Sequence, residues 1–515
     1  LYAGAWHRER RDWSYINVGP DGGIFKTVDG GETWDRLTNG LPQGEIGRVG
    51  LSVCRSQPDT VYAVIEGKEG GVFRTDDRGA SWDHRSTRTS ASMYYGQVRC
   101  DPANPERVYV LQTQFALSED GGRTFNTDLP RRGVHVDHHA LWIDPTNSDH
   151  LLLGNDGGIY ISYDRGENWR FVANLPITQF YTVAVDMKEP FYYVYGGTQD
   201  NNSFGGPSGT RNIDGIVNDD WTMTVGGDGF FLQIDPVDRH IVYTESQYGR
   251  LVRFDYRTGE RRLIQPQPPE GAKYRWNWSA PILLSQHDRK TVYFAAQFLF
   301  RSTNRGDSWE TLGADLTRNI TIEPKYRISD YGTIRVITES PLQAGRIGVG
   351  TDDGLVQLSR DGGETWSKLD TFPGVPERAQ VSRLILSAHG EDVVYAAFSA
   401  HEDNDFRPYV LKSTDFGTTW KSVTGDLPEN EPVRAFVEHP RNPDLLFAGT
   451  EFGVYLSIND GGTWVSMKGN LPTVAIHDMV IQTRENDMVL GTHGRGFWIL
   501  DDIGLLEELT SETLA

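Results

Sequence analysis

Cysteine is scarce in this chain: Cys54 and Cys100 are the two cysteines among 515 residues. So few exclude a disulfide-rich scaffold and the ligand spacing of zinc fingers. Each follows a similar β-rich segment one repeat apart, so a bridge between them is geometrically conceivable. Small buried thiols are nevertheless the more common situation for such residues. The sequence therefore favours two buried thiols and leaves a disulfide as the alternative.

Long apolar runs, helical periodicity and positive charge are also missing. No run of 18 apolar residues occurs, so no transmembrane helix is predicted. No segment of useful length repeats apolar residues at the helical period. The chain has 50 basic and 71 acidic residues, a net charge of −21. Such a charge repels phosphate backbones, which argues against nucleic acid as a partner and leaves cations or neutral glycans.

One octapeptide pattern recurs eight times, with Ser or Thr first, Asp or Asn third, Gly fifth and Trp or Phe last. Most successive copies begin 43 to 57 residues apart, and one gap is 140 residues. The copies are TVDGGETW (27–34), TDDRGASW (75–82), SEDGGRTF (118–125), SYDRGENW (162–169), STNRGDSW (302–309), SRDGGETW (359–366), STDFGTTW (413–420) and SINDGGTW (457–464).

Four short β-rich segments surround each copy, and turns such as DPANP (101–105) and HPRNP (439–443) separate the first two. Four strands in a unit of about 45 residues is the period of a β-propeller blade. We count eleven such units, which begin near residues 1, 46, 95, 135, 178, 225, 276, 331, 380, 432 and 474. The sequence thus predicts an all-β fold of propeller blades.

The octapeptide resembles the Asp box, or bacterial neuraminidase repeat, of sialidases, sortilin-type receptor domains and two-propeller xyloglucanases. Nearly the whole chain resembles bacterial exported proteins described as sortilin-like or glycosyl-hydrolase-like Asp-box proteins. This resemblance implies an extracytoplasmic location: periplasm, outer surface or medium. The segments that carry it are GGTQDNNSFGGPS (196–208), YRWNWSAPI (274–282), GTDDGLVQLSRDGGETW (350–366), GTEFGVYLS (449–457) and GTHGRGFWILDDI (491–503).

The units are predicted to form tandem β-propellers. Residues 177–505 supply seven units, one complete propeller, and residues 1–176 supply the last four blades of a first one; 506–515 form a tail. The first unit opens at LYAG, which matches the second strand LFAG at 446–449. We therefore expect further blades from sequence upstream of residue 1 or from another chain. The alternative is a single ten-bladed ring, as in sortilin-type domains.

The Asp box is predicted to be part of the frame. Its Ser/Thr and Asp side chains can bond local backbone N–H groups, its glycine allows positive φ, and its aromatic ring can pack between sheets. The alternating acidic ligands of a calcium loop are absent. The box joins the third and fourth strands. Functional residues are therefore expected at the opposite end, in the bends between second and third strands and in the loops before first strands.

Those bends and loops carry acidic, amide and imidazole side chains, although Asp-Gly pairs also form turns without any other role. As a set they predict an acidic face that binds a ligand. Its members are Asp156, Gln199, Asp200, Asn201, Asp228, Asp352, Asp353, Glu451 and His493.

The segment HVDHHALWIDP (135–145) precedes a first strand on the same face. In an extended segment alternate residues share a side, so His135, Asp137 and His139 would point together and His138 would point away. Imidazole and carboxylate ligands suit a divalent transition metal. The alternatives are a hydrogen-bonded polar plug and direct contact with a ligand, the role predicted for His138. Asp156, in the same unit, is a candidate further ligand or hydrogen-bond partner.

Aromatic residues are predicted on this face as well: Tyr94, Tyr95, Tyr181, Tyr274 and Trp276. Rings with polar edges stack on sugars or side chains, whereas the alternative is packing in the propeller core.

The function that the sequence favours is a binding module for a glycan or for a peptide or protein ligand, because propellers present loops on a rigid ring. The alternative is a glycoside hydrolase of the two-propeller type, with an Asp pair, Asp156 and Asp353 or Asp352, across the inter-propeller cleft. A structural subunit of an envelope complex is a further alternative. The Arg-Ile-Pro segment and the arginine triad of sialidases cannot be assigned, which argues against a sialidase.

Overall fold

The computed structural model describes residues 1–89, 93–129, 133–320, 322 and 326–509. The fold of these described residues is all-β, as predicted, with one short α-helix, Gly504–Glu507, and two 3-10 turns, Asn218–Asp220 and His401–Asp403. Residues 510–515 of the predicted tail lie outside the described residues. In the described part of the chain no helix is both long and apolar enough to cross a bilayer.

The chain divides into two compact units. The first contains Leu1–Leu175 together with the short strand Tyr326–Arg327, and the second contains Pro176–Glu323 and Ile328–Ala515. Eleven antiparallel blade sheets are formed by the described residues, and we number them blades 1 to 11 in chain order.

The first unit contains blades 1 to 4. Blade 1 begins at the position of a second strand, as its pairing with the strand before the box shows. The strands are Tyr2–Ala5, Gly23–Lys26 and Asp35–Leu37 in blade 1; Ile46–Val53, Val61–Gly67, Gly71–Thr75 and Asp83–Ser86 in blade 2; Gln97–Cys100, Val108–Leu111 and Ala116–Ser118 in blade 3; and His138–Ile143, Leu151–Asn155, Gly158–Ser162 and Arg170–Phe171 in blade 4. A separate sheet joins Glu9–Arg10, Ser14–Ile16 and Tyr326–Arg327.

The second unit contains blades 5 to 11. Its strands are Phe180–Val185, Tyr193–Thr198, Ser203–Pro207 and Thr222–Val225 in blade 5; Gly229–Ile234, Ile241–Ser246, Arg250–Asp255 and Arg261–Leu263 in blade 6; Ile282–Leu284, Val292–Ala295, Leu299–Ser302 and Glu310–Leu312 in blade 7; Ile334–Glu339, Ile347–Thr351, Val356–Ser359 and Ser367–Leu369 in blade 8; Gln380–Leu386, Val394–Ala400, Asp405–Ser413 and Lys421–Ser422 in blade 9; Ala435–Glu438, Leu446–Gly449, Val454–Ser457 and Val465–Met467 in blade 10; and Ile476–Gln482, Asp487–Thr492 and Phe497–Leu500 in blade 11.

The second unit closes into a seven-bladed ring. The first strands of blades 5 to 11 contact one another in chain order, and that of blade 11 returns to that of blade 5. Val183 N donates to Asp478 Oδ2 at 3.0 Å, and Tyr192 Oη donates to Asp487 Oδ2 at 2.8 Å across this junction. Seven blades that close on themselves confirm a complete seven-bladed propeller and exclude the single ten-bladed ring.

Burial follows the position of a strand within its blade. Most second strands, such as Leu446–Gly449, are buried along nearly their whole length, because neighbouring sheets cover both of their faces. The fourth strands, such as Val465–Met467, are mostly exposed. The core therefore lies between adjacent sheets, where Phe447, Phe398 and Phe294 are essentially inaccessible to solvent.

Each Asp box fastens the turn between the third and fourth strands. In the copy at 359–366, Gly363 N donates to Ser359 Oγ at 2.8 Å and Thr365 N donates to Asp361 Oδ1 at 2.9 Å. The same pair of bonds recurs in the other seven copies. Gly363 has φ +92°, which side chains disfavour. The box is part of the frame, although one predicted buried ring, Trp34, is 42% exposed.

The two cysteines form a disulfide, with Cα atoms 5.4 Å apart. Cys54 follows the first strand of blade 2, and Cys100 ends the first strand of blade 3. The prediction of two buried thiols is therefore wrong. The blades lie side by side, and this brings the ends of two equivalent strands within bridging distance.

Candidate functional site

The bends between second and third strands contact the loops before first strands. Gln199 N donates to Gln179 O at 3.1 Å, and Gly494 N donates to Thr178 O at 3.0 Å. Ile476 N donates to the carbonyl of Thr450 at 2.9 Å. These segments thus share one end of the blades, opposite to the Asp boxes, because antiparallel strands alternate in direction.

A β-bulge near the start of several first strands determines which side chains leave the sheet there. The pairing shifts by one residue at His139, Tyr181, Arg335, Ser382 and His477. A bulge leaves one residue unpaired and turns its side chain away from the regular alternation. The same structural position therefore supplies a polar or aromatic side chain in five blades.

In the first unit, four side chains form a polar group that we name the Asp156 cluster: Tyr95, Asp137, His139 and Asp156. His139 Nε2 lies 3.0 Å from Asp156 Oδ1. The Tyr95 hydroxyl donates to Asp137 Oδ1. The rings of Tyr95 and His139 are 5.1 Å apart. The His139 and Asp156 side chains are 45% and 23% exposed, so the cluster can be reached from solvent.

The pKa of the Tyr95 hydroxyl is raised, first by burial and then by its bond to Asp137, with the charge of Asp156 adding to the shift. Tyr95 therefore stays protonated at neutral pH and acts as a donor. Tyr94 beside it is 45% exposed and accepts a bond from Arg10 Nη1 at 3.4 Å.

The predicted trio His135, Asp137 and His139 does not come together as three metal ligands. No three ligand atoms of these described residues lie within 4.8 Å of one another. Asp137 has φ +64° and His139 occupies the bulge, so the alternation assumed for an extended segment does not hold. His135 Nδ1 contacts Val136 O at 3.1 Å. The two alternatives to a metal site, a hydrogen-bonded polar plug and direct contact with a ligand, stay predictions.

His138 is buried, with 2% of its surface exposed, and its ring packs edge-on against Phe115 at 5.8 Å. Burial, followed by the charges of His135 and His139, lowers its pKa to about 4, so it is neutral at pH 7. The prediction that His138 contacts a ligand is therefore wrong, because the strand turns this side chain into the core of blades 3 and 4.

The bend of blade 5 is tied to the loop before blade 6. Asp200 N donates to Asp228 Oδ1 at 2.6 Å, and Gln247 Nε2 donates to Asp228 Oδ2 at 2.9 Å. Asn201 Nδ2 donates to Gln199 O at 3.0 Å. Asp228 is 5% exposed, so its carboxylate organises the loops and presents little surface to a ligand.

Asp352 and Asp353 are likewise turned inward. Thr333 donates to both oxygens of Asp352, through N at 2.8 Å and Oγ1 at 2.7 Å. Asp353, which is 0% exposed, accepts from Arg318 N at 2.8 Å and from Thr351 Oγ1 at 2.6 Å. Burial and the neighbouring Asp353 raise the pKa of Asp352 to about 7. The predicted catalytic role lacks the accessible oxygen that proton transfer to a substrate requires.

Tyr274 and Trp276 pack within blade 7. The Tyr274 ring lies 4.8 Å from that of Phe300, and the Trp276 ring lies 5.0 Å from that of Phe294. A Cβ on Gly249 would lie 2.3 Å from the Trp276 ring. Both residues remain partly accessible, so contact of these two rings with a ligand stays a prediction beside the alternative of core packing.

A second polar group lies where the first strands of blades 8 to 11 begin, beside the bend of blade 10 that carries Glu451. We name it the channel cluster: Arg335, Arg383, Arg434, His477 and Glu451. Arg383 Nη2 donates to His477 O at 2.7 Å and lies 2.9 Å from Asp478 Oδ1. Arg434 Nη2 lies 3.1 Å from Glu451 Oε2. Burial and then the charges of His493, Arg434, Arg383 and Arg335 lower the pKa of His477 well below its ordinary value.

A series of aromatic side chains extends from this cluster to the neighbouring blades of the propeller. The His477 and His493 rings stack at 4.1 Å, and Tyr181 lies 6.0 Å from His493. Tyr181 and Phe230 are 4.6 Å apart. The predicted ligand-binding residues Tyr181, His493 and Glu451 thus meet at this end of the seven-bladed unit.

Sequence reasoning missed Arg335, Arg383, Arg434 and His477. These four residues could have been found by aligning the starts of the first strands, because one basic residue recurs at nearly the same position. The aligned segments are TIRVI, VSRLI, PVRAF and AIHDM.

The model of the BNR/Asp-box repeat matches residues 357–368. The oligoxyloglucan-reducing end-specific xyloglucanase of Emericella nidulans is 24% identical over 495 residues, which cover 87% of this chain and 55% of the relative. The chain therefore spans about half the length of this curated relative.

Two solved structures are also similar. The GH74 enzyme of Niastella koreensis is 13% identical, with 97% of this chain and 83% of that chain covered and a TM-score of 0.29. The GH74 xyloglucanase from Xanthomonas campestris is 11% identical, with 96% of each chain covered and a TM-score of 0.25. With the repeat and the blades established, the chain is an Asp-box β-propeller protein that resembles a xyloglucanase in sequence.

Proposed function

We propose that this protein is a glycoside hydrolase-like propeller that cleaves a neutral, xyloglucan-type polysaccharide. The observation that carries the proposal is the likeness to a xyloglucanase along 87% of the chain. It favours the hydrolase alternative over the binding module that the sequence placed first. A neutral glycan also suits a protein with a net charge of −21.

The Asp156 cluster supplies the chemical groups that hydrolysis requires. Glycosidases use two carboxyl groups, one to protonate the leaving oxygen and one to activate water or attack the sugar. Asp137 and Asp156 are two carboxyl groups grouped around the Tyr95 hydroxyl. Asp137 is held in the left-handed region at φ +64°, a conformation often found at functional sites.

The roles follow from the partners of each carboxyl group. Asp156 lies 3.0 Å from the exposed imidazole of His139, which can pass protons between Asp156 and solvent, so Asp156 acts as the general acid. Asp137 accepts the Tyr95 hydroxyl proton in a hydrogen bond that orients its carboxylate, so Asp137 acts as the base or nucleophile. The exposed ring of Tyr94 offers a stacking surface for a sugar.

We also propose an extracytoplasmic location. The Cys54–Cys100 disulfide suits an oxidising compartment, because cytosolic thiols are usually kept reduced.

The test is hydrolysis of xyloglucan and its oligosaccharides, with unbranched β-glucan and a uronic acid polymer as comparisons. Wild-type protein should release reducing ends from xyloglucan. Asp156→Asn and Asp137→Asn should each lower kcat by about a hundredfold or more at unchanged thermal stability. Asp128→Asn, an exposed carboxylate of blade 3, is the matched control and should retain activity. Absence of release by the wild type from every glycan, or full activity of Asp156→Asn, contradicts the proposal.

A further inference from the structure

Blade 4 is the last blade of the first unit, and one face of its sheet is exposed. Ala140 pairs with Gly154 and Trp142 pairs with Leu152, and the third strand places Ile159 beside Gly154. Paired residues point to the same side of a sheet. Trp142 is 46% exposed and Ile159 is 38% exposed. We name this surface the open face: Ala140, Trp142, Leu152, Gly154, Ile159 and Ile161.

The other face of the same sheet packs on blade 3. Leu141, Leu151 and Leu153 of blade 4 share a buried cluster with Tyr109 and Leu111 of blade 3. Blade 4 is therefore apolar on both faces. A sheet of that kind is stable when both of its faces are covered.

Blade 10 has an equivalent face that is covered by its neighbour. The two blades align at the Asp-Pro and His-Pro turns that follow their first strands, so Leu152 corresponds to Phe447 and Ile159 corresponds to Val454. Phe447 and Val454 are buried in a cluster that residues of blade 11 complete. The open face of blade 4 thus has the composition of an interface between two blades.

Two equivalent glycines show the difference between these blades. A Cβ built on Gly449 of blade 10 would lie 2.8 Å from Met479 Cε and 2.9 Å from Ile476 Cγ2, both in blade 11. A Cβ built on Gly154 would meet Ala140 of its own sheet at 3.6 Å and no atom of another described blade within 4 Å. The hollow above Gly154 is therefore open.

We propose that the open face of blade 4 is an interface with the same face of a second copy of this chain. Its large and small side chains suit a two-fold axis that lies in the interface and runs perpendicular to the strands. Such an axis places Trp142 over the partner's Ala140. It also places Leu152 over the partner's Gly154, so that each large side chain meets a small one. Because both halves of this pairing lie on one face, the face is complementary to itself.

The size of the sheet sets the strength of the dimer. Four strands of about five residues present a face of roughly 15 by 17 Å. Two such faces hide about 1,000 Å² in total when they pack, which is the lower limit for a specific interface. The dimer should therefore form with a Kd in the micromolar range.

The Asp156 cluster borders the open face, because His139 precedes Ala140 in the first strand and Asp156 follows the second strand. The two-fold axis brings the bend end of one copy to the Asp-box end of the other. The two Asp156 clusters then lie at opposite ends of the interface. The inference does not rest on the proposed hydrolysis.

The test is the oligomeric state of the full chain, measured by analytical ultracentrifugation from about 1 to 200 µM. The wild-type protein should change from one chain to two over this range. Trp142→Glu should raise the Kd about tenfold or more, because it places a charge in an apolar interface. Leu263→Glu adds the same charge at an exposed apolar residue of blade 6, so it is the matched control and should dimerise as the wild type does.

A pair of size changes tests the pairing of large and small side chains. Gly154→Val fills the hollow and meets only Ala140 in its own chain, so it should keep its Tm and lose the dimer. Adding Leu152→Ala should restore the dimer, because the large and the small side chain have then exchanged places.

Four results would overturn the proposal. The first is a wild-type protein that stays a single chain at every concentration, and the second is a dimer that Trp142→Glu leaves unchanged. The third is a mass that rises beyond two chains, since this indicates head-to-tail association instead of a closed pair. The fourth is a Leu152→Ala/Gly154→Val protein that stays a single chain.

Discussion

Removal of the Cys54–Cys100 disulfide should loosen the first unit and leave the second unchanged. The bridge joins residues 46 positions apart, and closing a loop of that length stabilises the folded state by about 4 kcal/mol in the chain-entropy model. Both cysteines lie in the buried cluster between blades 2 and 3. A loss of that size should speed amide exchange through global unfolding of the unit roughly a thousandfold.

The assay is native-state hydrogen exchange of Cys54→Ala/Cys100→Ala, read by mass spectrometry peptide by peptide. Peptides of blades 2 and 3 should lose protection, and those of blades 5 to 11 serve as the internal control. Wild-type protein under reducing conditions should reproduce the effect without the change in side-chain volume. Unaltered protection in blades 2 and 3, or an equal loss in both units, would refute the reasoning.

Two further predictions concern charged groups of the frame. Hydrogen bonds from Ser81 and Thr365 lower the pKa of Asp77 and of Asp361 to about 2. The ionised side chains of Asp77 and Asp361 therefore stabilise the folded state at pH values above the unfolded pKa near 4. This stabilisation is lost as the pH falls towards 2. Asp77→Asn/Asp361→Asn should flatten the decline of Tm between pH 4 and pH 2, and a decline identical to that of the wild type would exclude this role. In the second unit, Arg383→Met leaves Asp478 without its guanidinium partner, which should cost about 2–3 kcal/mol in urea denaturation. Adding Asp478→Asn should recover part of that loss, and failure to recover any of it would argue against the ion pair as the cause.

The blades could be predicted because their signals are local. Each Asp box contains its own hydrogen-bond partners within seven residues, so the turn forms wherever the pattern occurs. The turn fixes the end of the third strand, and the spacing between boxes then fixes the unit. LYAG could be assigned to a second strand because it matches LFAG at 446–449, and it does pair with the strand that leads into a box.

The site residues were harder to predict because the bulges change the alternation of side chains. The bulge at His139 separates this residue from His135 and brings it to Asp156, and the bulge at His477 turns an imidazole out of the regular alternation of its strand. The inward orientation of the acidic residues Asp228 and Asp353 could not be predicted for another reason. Asp228 and Asp353 bond backbone groups of other loops, and tertiary contacts of this kind leave no trace in a single sequence.

Blade 4 allows the most direct measurement, because it carries a candidate catalytic carboxylate at one end and an Asp box at the other. Asp156→Asn and Asp164→Asn should be compared for xyloglucan hydrolysis per folded molecule and for Tm. We expect Asp156→Asn to lose hydrolysis and keep its Tm. Asp164→Asn, which retains an oxygen to accept from Asn168 N, should keep hydrolysis with at most a small change in Tm. Loss of hydrolysis in Asp164→Asn alone would contradict our account, in which the bends carry the catalytic residues and the Asp boxes only stabilise the blades.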